Sequence, residues 1–228
     1  MPAHFVTEES GVQNLMREGK PADKIHFVGH VMIDNLLYQN GKLDSGAVDV
    51  RSLSVFPMKP ENGSYAFLTL HRPSNVDNAD TFRGIIFAIN EIADRIPIVF
   101  PVHRRTRKMA EQFGISFSEG ITLLPPLGFR ESLFPWKDAE VVLTDSGGLQ
   151  EETTALRVPC VTIRDNTERP ITIEIGTNVL AGTTREGILQ AYRDSLEKKA
   201  RAAIPLKRDG RASERIWEVL LREIAQGC

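Results

Sequence analysis

From Tyr65 onward the chain repeats one pattern, a short apolar run followed by a stretch of helical periodicity. The runs are "YAFLTL", "IPIVFPV", "GITLLPPL", "AEVVLTD", "VPCVTIR" and "TNVLAG". Helices are predicted over residues 80–94, 104–113, 130–137 and 148–157, just after Pro170, and over 185–198 and 211–225. Apolar strands alternating with helices predict an α/β fold, a parallel sheet with helices on both faces and right-handed crossovers. No internal repeat or low-complexity tract interrupts it.

The first part of the chain is less regular. A strand is expected at "HFVT", a helix over residues 8–19, and then a second apolar stretch, "IHFVGHVMIDNLL". A strand opening at His4 has no evident sheet partner and reads as the remnant of a preceding unit. Residues 41–64, with several Gly, Ser, Pro and Asn, read as a linker. The expected organisation is a remnant over 1–40, a linker over 41–64, the βα domain over 65–205 and a C-terminal helix within 206–228.

Composition narrows the function. With 41% hydrophobic and 25% charged residues the chain is ordinary globular protein, and a net charge of −2 gives no whole-chain attraction to nucleic acid or to an anionic membrane. A small molecule is the expected partner. The two cysteines, Cys160 and Cys228, cannot build a disulfide framework and fit a reducing compartment. No metal-ligand spacing appears, no apolar run reaches the length of about 18 residues that a membrane helix needs, and "MPAHFVTEES" lacks the regions of a signal peptide. A cytoplasmic enzyme or binding protein with no metal or cofactor is expected. In that compartment Asn62-Gly63-Ser64 reads as a turn.

In open parallel sheets ligands bind beyond the carboxyl ends of the strands. Here "YAFLTL" is followed by His71-Arg72, "IPIVFPV" by His103-Arg104-Arg105, "AEVVLTD" by Ser146-Gly147-Gly148, and "VPCVTI" by Arg164-Asp165. Four strands thus bring cationic or anion-cradling groups to one edge, and an anion site is expected there. Taken alone, Ser146-Gly147-Gly148 would be a turn. Beside the other strand ends it reads as a phosphate cradle, because glycines let the backbone approach closely and the next helix offers its N–H groups.

Glu152, about one turn into that helix, is placed to accept hydrogen bonds from a ribose diol, while Glu151 is expected to be a solvated helix residue. Leu149, Thr153 and Leu156 mark the expected packed stripe. In "RDNTERP", Thr167 is a candidate cap for a helix carrying Pro170, and Arg169 is either a phosphate clamp or part of a charged loop. "HRRTRK" over residues 103–108 has no interleaved aromatics and reads as a solvated helix start, with only His103 a site candidate.

Together "LTDSGGLQEE", "RDNTERPITIEIGTNVLAG", "LTLHRPSNVD", "REGKPADKIHFVGHVMIDNLL" and "RDGRASERI" resemble the bacterial and archaeal UDP-N-acetylglucosamine 2-epimerases. The resemblance implies a glycosyltransferase-B-like architecture of two Rossmann-like domains, of which this chain holds the second plus the last strand and helix of the first. A terminal helix that returns to brace the first domain corresponds to "ASERIWEVLLREI". It implies interconversion of UDP-N-acetylglucosamine and UDP-N-acetylmannosamine through elimination of UDP and its re-addition, with carboxylates that act in catalysis on the half without a counterpart here. His71 and Arg169 resemble groups at the diphosphate and reacting centre, Ser146, Gly147 and Gly148 the phosphate loop, Glu152 the ribose ligand, and Arg164 a further UDP contact. Asp145, Thr167, Glu168, His103 and Phe129 are further candidates. The chain departs from relatives at Phe129-Arg130-Glu131-Ser132, where many carry Tyr-x-x-Phe with the Phe against uracil. Alternatives are a hydrolysing epimerase, a glycosyltransferase of the same fold, and a non-catalytic nucleotide-binding module. The intact enzyme is expected to be a homodimer.

Overall fold

The computed structural model describes residues 3–59 and 64–226; the sequon at Asn62 and Cys228 lie outside the described residues. In chain order the elements are β1 (His4–Val6), α1 (Glu9–Arg17), β2 (Ile25–Phe27), α2 (Val31–Asp44), β3 (Ala66–Thr69), α3 (Pro73–Val76), α4 (Ala79–Ala93), β4 (Ile98–Pro101), α5 (Arg104–Phe113), β5 (Ile121–Leu124) and α6 (Phe129–Trp136). Then follow β6 (Val141–Thr144), α7 (Gly147–Ala155), β7 (Cys160–Thr162), α8 (Pro170–Glu174), β8 (Asn178–Leu180), α9 (Arg185–Lys198) and α10 (Ala212–Gln226).

The described strands from β3 on form one parallel sheet in the order β5-β4-β3-β6-β7-β8. Alternation along each strand supplies two cores. Ala66 and Leu68 of β3, Phe100 of β4 and Leu143 of β6 face a layer that includes Phe82, Ile85 and Ile89 of α4 and Ile188 of α9. Phe67, Val99 and Val142 face the other side and pack with Ile33 and Leu36 of α2, Trp136 of α6 and Leu149 of α7. Residues apolar on both sides of the strand have only this solution, since either face left in water would forfeit about 25 cal/mol per Å² of burial. The strand order reverses between β3 and β6, so the crevice beyond their carboxyl ends is the place where such a sheet accepts a ligand.

The opening strand does have a partner. β1 pairs in parallel with β2, His4 opposite Ile25 and Val6 opposite Phe27, forming a small separate sheet with α1 as its crossover. Sequence gave no pairing because the partner follows at a distance, through a helix. Helix α2 extends through residues 41–44, and the remaining described connection holds two 3-10 turns with Val55 buried between them. Helix α10 returns to α2, whose Asp34 accepts from the amides of Ala212 at 3.0 Å and Ser213 at 2.7 Å.

Candidate functional site

The two strands at the switch point end together. Thr69 pairs with Thr144 in the ladder, and their hydroxyl oxygens lie 2.6 Å apart. One residue beyond β6 the Asp145 side chain is fully buried, with Oδ2 accepting from the amides of His71 at 2.9 Å and Arg72 at 2.7 Å and from Asn75 Nδ2 at 3.3 Å. Its other oxygen, Oδ1, lies 2.9 Å from His71 Nδ1 and has no alternative hydrogen-bond partner among the described residues. That contact is a hydrogen bond only when Nδ1 carries a proton. A buried carboxylate oxygen would otherwise be orphaned, so the geometry selects this protonation site and leaves Nε2 to a ligand. The hydrogen bond to Asp145 raises the His71 pKa above its ordinary value, against the opposing effect of burial.

Ser146 caps α7, its Oγ accepting from the Leu149 amide at 3.4 Å. Gly147 keeps the helix mouth open: the position of a Cβ there is 3.7 Å from Arg72 Nη2 and 3.9 Å from Arg164 Nη1. Glu152 is 7% exposed, and burial pushes its carboxyl up to about 7. The expectation for Glu151 is wrong. It is 1% exposed and forms a bidentate pair with Arg208, because α7 is buried from Leu149 through Ala155 rather than along one stripe. Periodicity failed here because α7 is enclosed by the sheet, α2 and α8 together with the segment before α10.

A cleft of about 470 Å³ gathers Thr69, His71, His103, Ser146, Gly148, Leu149 and Glu152, with Met32, Leu127, Phe129 and Ser132 among its other walls. His103 caps α5 by accepting from the Arg105 amide at 3.2 Å, and its ring centre is 6.0 Å from that of His71. Arg104, Arg107 and Lys108 are exposed, as expected for a solvated helix start. Phe129 is 41% exposed at the wall. Met32, whose sulfur is 3.5 Å from the Cβ position of Gly148, had no sequence signal beyond its place in an apolar run.

Several other candidates do not line this cleft. Arg164 donates to Glu168 at 2.7 Å and lies in a neighbouring cleft of about 330 Å³ with Arg72, Asn75 and Asn166. Glu168 also sits 3.6 Å from Arg72, so one carboxylate holds both guanidiniums at the flank of Gly147. Thr167 is not a helix cap: its hydroxyl donates to Gln150 Oε1 at 2.6 Å and accepts from the Arg169 amide at 3.0 Å, and Arg169 itself holds the capping position of α8, before Pro170. The Arg169 side chain turns towards Glu151, with Nε 3.8 Å from Oε1. Among the described residues no group of three or more His, Cys, Asp or Glu is placed to hold a metal.

The site therefore presents a histidine held by a buried carboxylate, a capped helix mouth flanked by two arginines, and a buried acid within one cleft. Such a set can bind an anion and a hydroxylated group side by side. Comparison with known proteins agrees. Residues 2–221 match the family described as UDP-N-acetylglucosamine 2-epimerase. The UDP-N-acetylglucosamine 2-epimerase of Methanocaldococcus jannaschii is 40% identical over 223 residues, 95% of this chain and 60% of that protein. The crystal structure of UDP-GlcNAc 2-epimerase from the same organism, in complex with UDP-GlcNAc and UDP, matches with a TM-score of 0.85 at 38% identity, over 96% of this chain and 61% of that one. The enzyme from Neisseria meningitidis bound to UDP-GlcNAc gives 0.84 at 29% identity, over 96% and 61%. The chain spans about 60% of the length of these relatives, and the fold is that of the glycosyltransferase-B-like epimerases. On the family match and this shared sequence and fold, the chain belongs to the UDP-N-acetylglucosamine 2-epimerase family.

Proposed function

We propose that this chain is the UDP-binding part of a non-hydrolysing UDP-N-acetylglucosamine 2-epimerase. The observation that carries the reading is the convergence of His71, held by Asp145, with the α7 mouth and Glu152 at the switch point of the sheet. Relatives with the same fold hold UDP-GlcNAc and UDP. In the reading, His71 Nε2 and the Ser146-Gly147-Gly148 turn take the diphosphate. Arg72, Arg164 and Arg169 add positive charge around it, Glu152 takes the ribose diol and Phe129 the uracil. Held this way, UDP leaves C1 with the bonding electron pair as the C2 proton is removed, and returns after the proton is replaced on the other face. The chain's own contribution is to stabilise charge on the departing diphosphate with preorganised donors. Proton transfer at C2 is assigned to groups outside these 228 residues.

The purified chain is accordingly expected to bind UDP without turning over UDP-N-acetylglucosamine; substantial turnover would overturn the division of labour. In an intact version, UDP-linked N-acetylmannosamine as product supports epimerisation, and free UDP with free sugar assigns hydrolysis instead. A cytoplasmic homodimer belongs to the same proposal, its mass to be read by light scattering on the intact enzyme.

A further inference from the structure

Glu151 and Arg208 form a buried ion pair, with side-chain exposures of 0% and 1%, that the reading of the cleft does not use. Arg208 Nε lies 2.8 Å from Oε2 and Nη2 lies 3.0 Å from Oε1, a fork that fixes the plane of the carboxylate. The third nitrogen, Nη1, donates to the Thr7 carbonyl at the end of β1. Next to it, Lys207 adopts φ +59° and donates from Nζ to the Phe27 carbonyl at 2.5 Å, at the end of β2. Gly29, at φ +95°, admits this approach because a Cβ there would run into the Lys207 carbonyl. The segment before α10 is thus a seam that ties the carboxyl ends of β1 and β2 to the middle of α7.

On the other side of the seam, Glu151 directly precedes Glu152 and lies 3.8 Å from Arg169 Nε, an atom with no hydrogen-bond partner among the described residues. A buried ion pair is a poor stabiliser, because desolvation offsets much of the attraction. What it supplies is orientation. We propose that Glu151 and Arg208 are positioning residues. They set the angle of α7, and through it Ser146, Glu152 and Arg169, by the placement of the β1–β2 unit, so that movement of that unit against the sheet reaches the cleft. The functional part of this inference rests on the reading of the cleft as a UDP site; the mechanical part does not.

The test uses the double variant Glu151→Met/Arg208→Met, since an apolar pair of similar volume can replace a buried ion pair without loss of stability. Spin labels on cysteines replacing the exposed Arg17 of α1 and Glu197 of α9, with Cys228→Ser, report the distance between the β1–β2 unit and the sheet domain. The expected result is an unchanged melting temperature, a broadened distance distribution, and UDP affinity about tenfold weaker, a coupling of ordinary size for residues in one network. An unbroadened distribution overturns the proposal whatever UDP does. A broadened distribution with unchanged UDP affinity, in a protein whose affinity falls on Glu152→Ala, also overturns it. Absence of UDP binding by the parent protein refutes the UDP reading, and the label distances still decide whether the pair holds the two units together. If the double variant melts early, Arg208→Lys keeps the charge without the fork: a broadened distribution in it supports the proposal, and a parental one overturns it.

Discussion

His71 Nδ1 lies 2.9 Å from Oδ1 of Asp145, a side chain with no exposed surface, and this contact sets which ring nitrogen faces the cleft. The hydrogen bond holds the imidazole pKa above its ordinary value. A raised histidine pKa contributes stability that is fully present below the unfolded value and is lost as pH rises through the folded one. Affinity for the UDP diphosphate should fall over the same upper window. Asp145→Asn should move that fall to lower pH, and His71→Ala should weaken binding by about 1.5–3 kcal/mol. Calorimetry across pH checks both, and an unmoved pH profile in Asp145→Asn contradicts the assignment.

Glu152 gives a stability slope of the same sign. Burial raises its carboxyl from 4.5 to about 7, so its favourable contribution is present below the unfolded value and is lost as pH rises through neutrality. Glu152→Gln should stabilise the unliganded protein at pH 8 by up to about 3 kcal/mol, the size of the shift at about 1.4 kcal/mol per unit. The same substitution should weaken UDP, because ribose hydroxyls need the ionised acceptor. Denaturant unfolding and calorimetry on one variant read both. Equal stability at pH 8 contradicts the burial argument.

Glycines separate close approach from packing. At Gly147 a methyl meets nothing nearer than 3.7 Å among the described residues, so Gly147→Ala should leave the melting temperature unchanged while weakening UDP through lost backbone access. At Gly176 a methyl would lie 2.5 Å from the Thr172 carbonyl and 2.6 Å from Thr154, so Gly176→Ala should lower stability, by about 1–3 kcal/mol for overpacking. Unchanged UDP affinity in Gly147→Ala removes the close-approach role.

The glutamate pair makes a third contrast. From sequence, Glu151→Ala is a neutral surface change. In the structure it strands Arg208 in the interior, and a loss of about 3–5 kcal/mol is expected. Glu152→Ala should leave the fold intact and act on UDP. Thermal unfolding of the two variants separates them; equal melting temperatures contradict the buried pair.

Much of this was legible from residues alone. The alternation after Tyr65 predicted the sheet and its helices, because strands buried on both faces leave a plain apolar signature; the rule of strand ends named His71 and Ser146, the helix rise named Glu152, and all three line one cleft. What stayed hidden depended on distant contacts. Glu151 looked like a surface residue because its partner lies 57 positions away, and β1 looked unpaired because β2 follows across a helix. Arg164 and Thr167 have the residue types of a phosphate site, yet their nearest partners are Glu168 and Gln150.

The central claim, that the crevice between the ends of β3 and β6 is a UDP site, is tested most directly by titrating UDP into the purified chain in a calorimeter at pH 7. Binding at one site per chain, weakened by His71→Ala and by Glu152→Ala, is the predicted result. Absence of binding, or binding that both substitutions leave untouched, would contradict it.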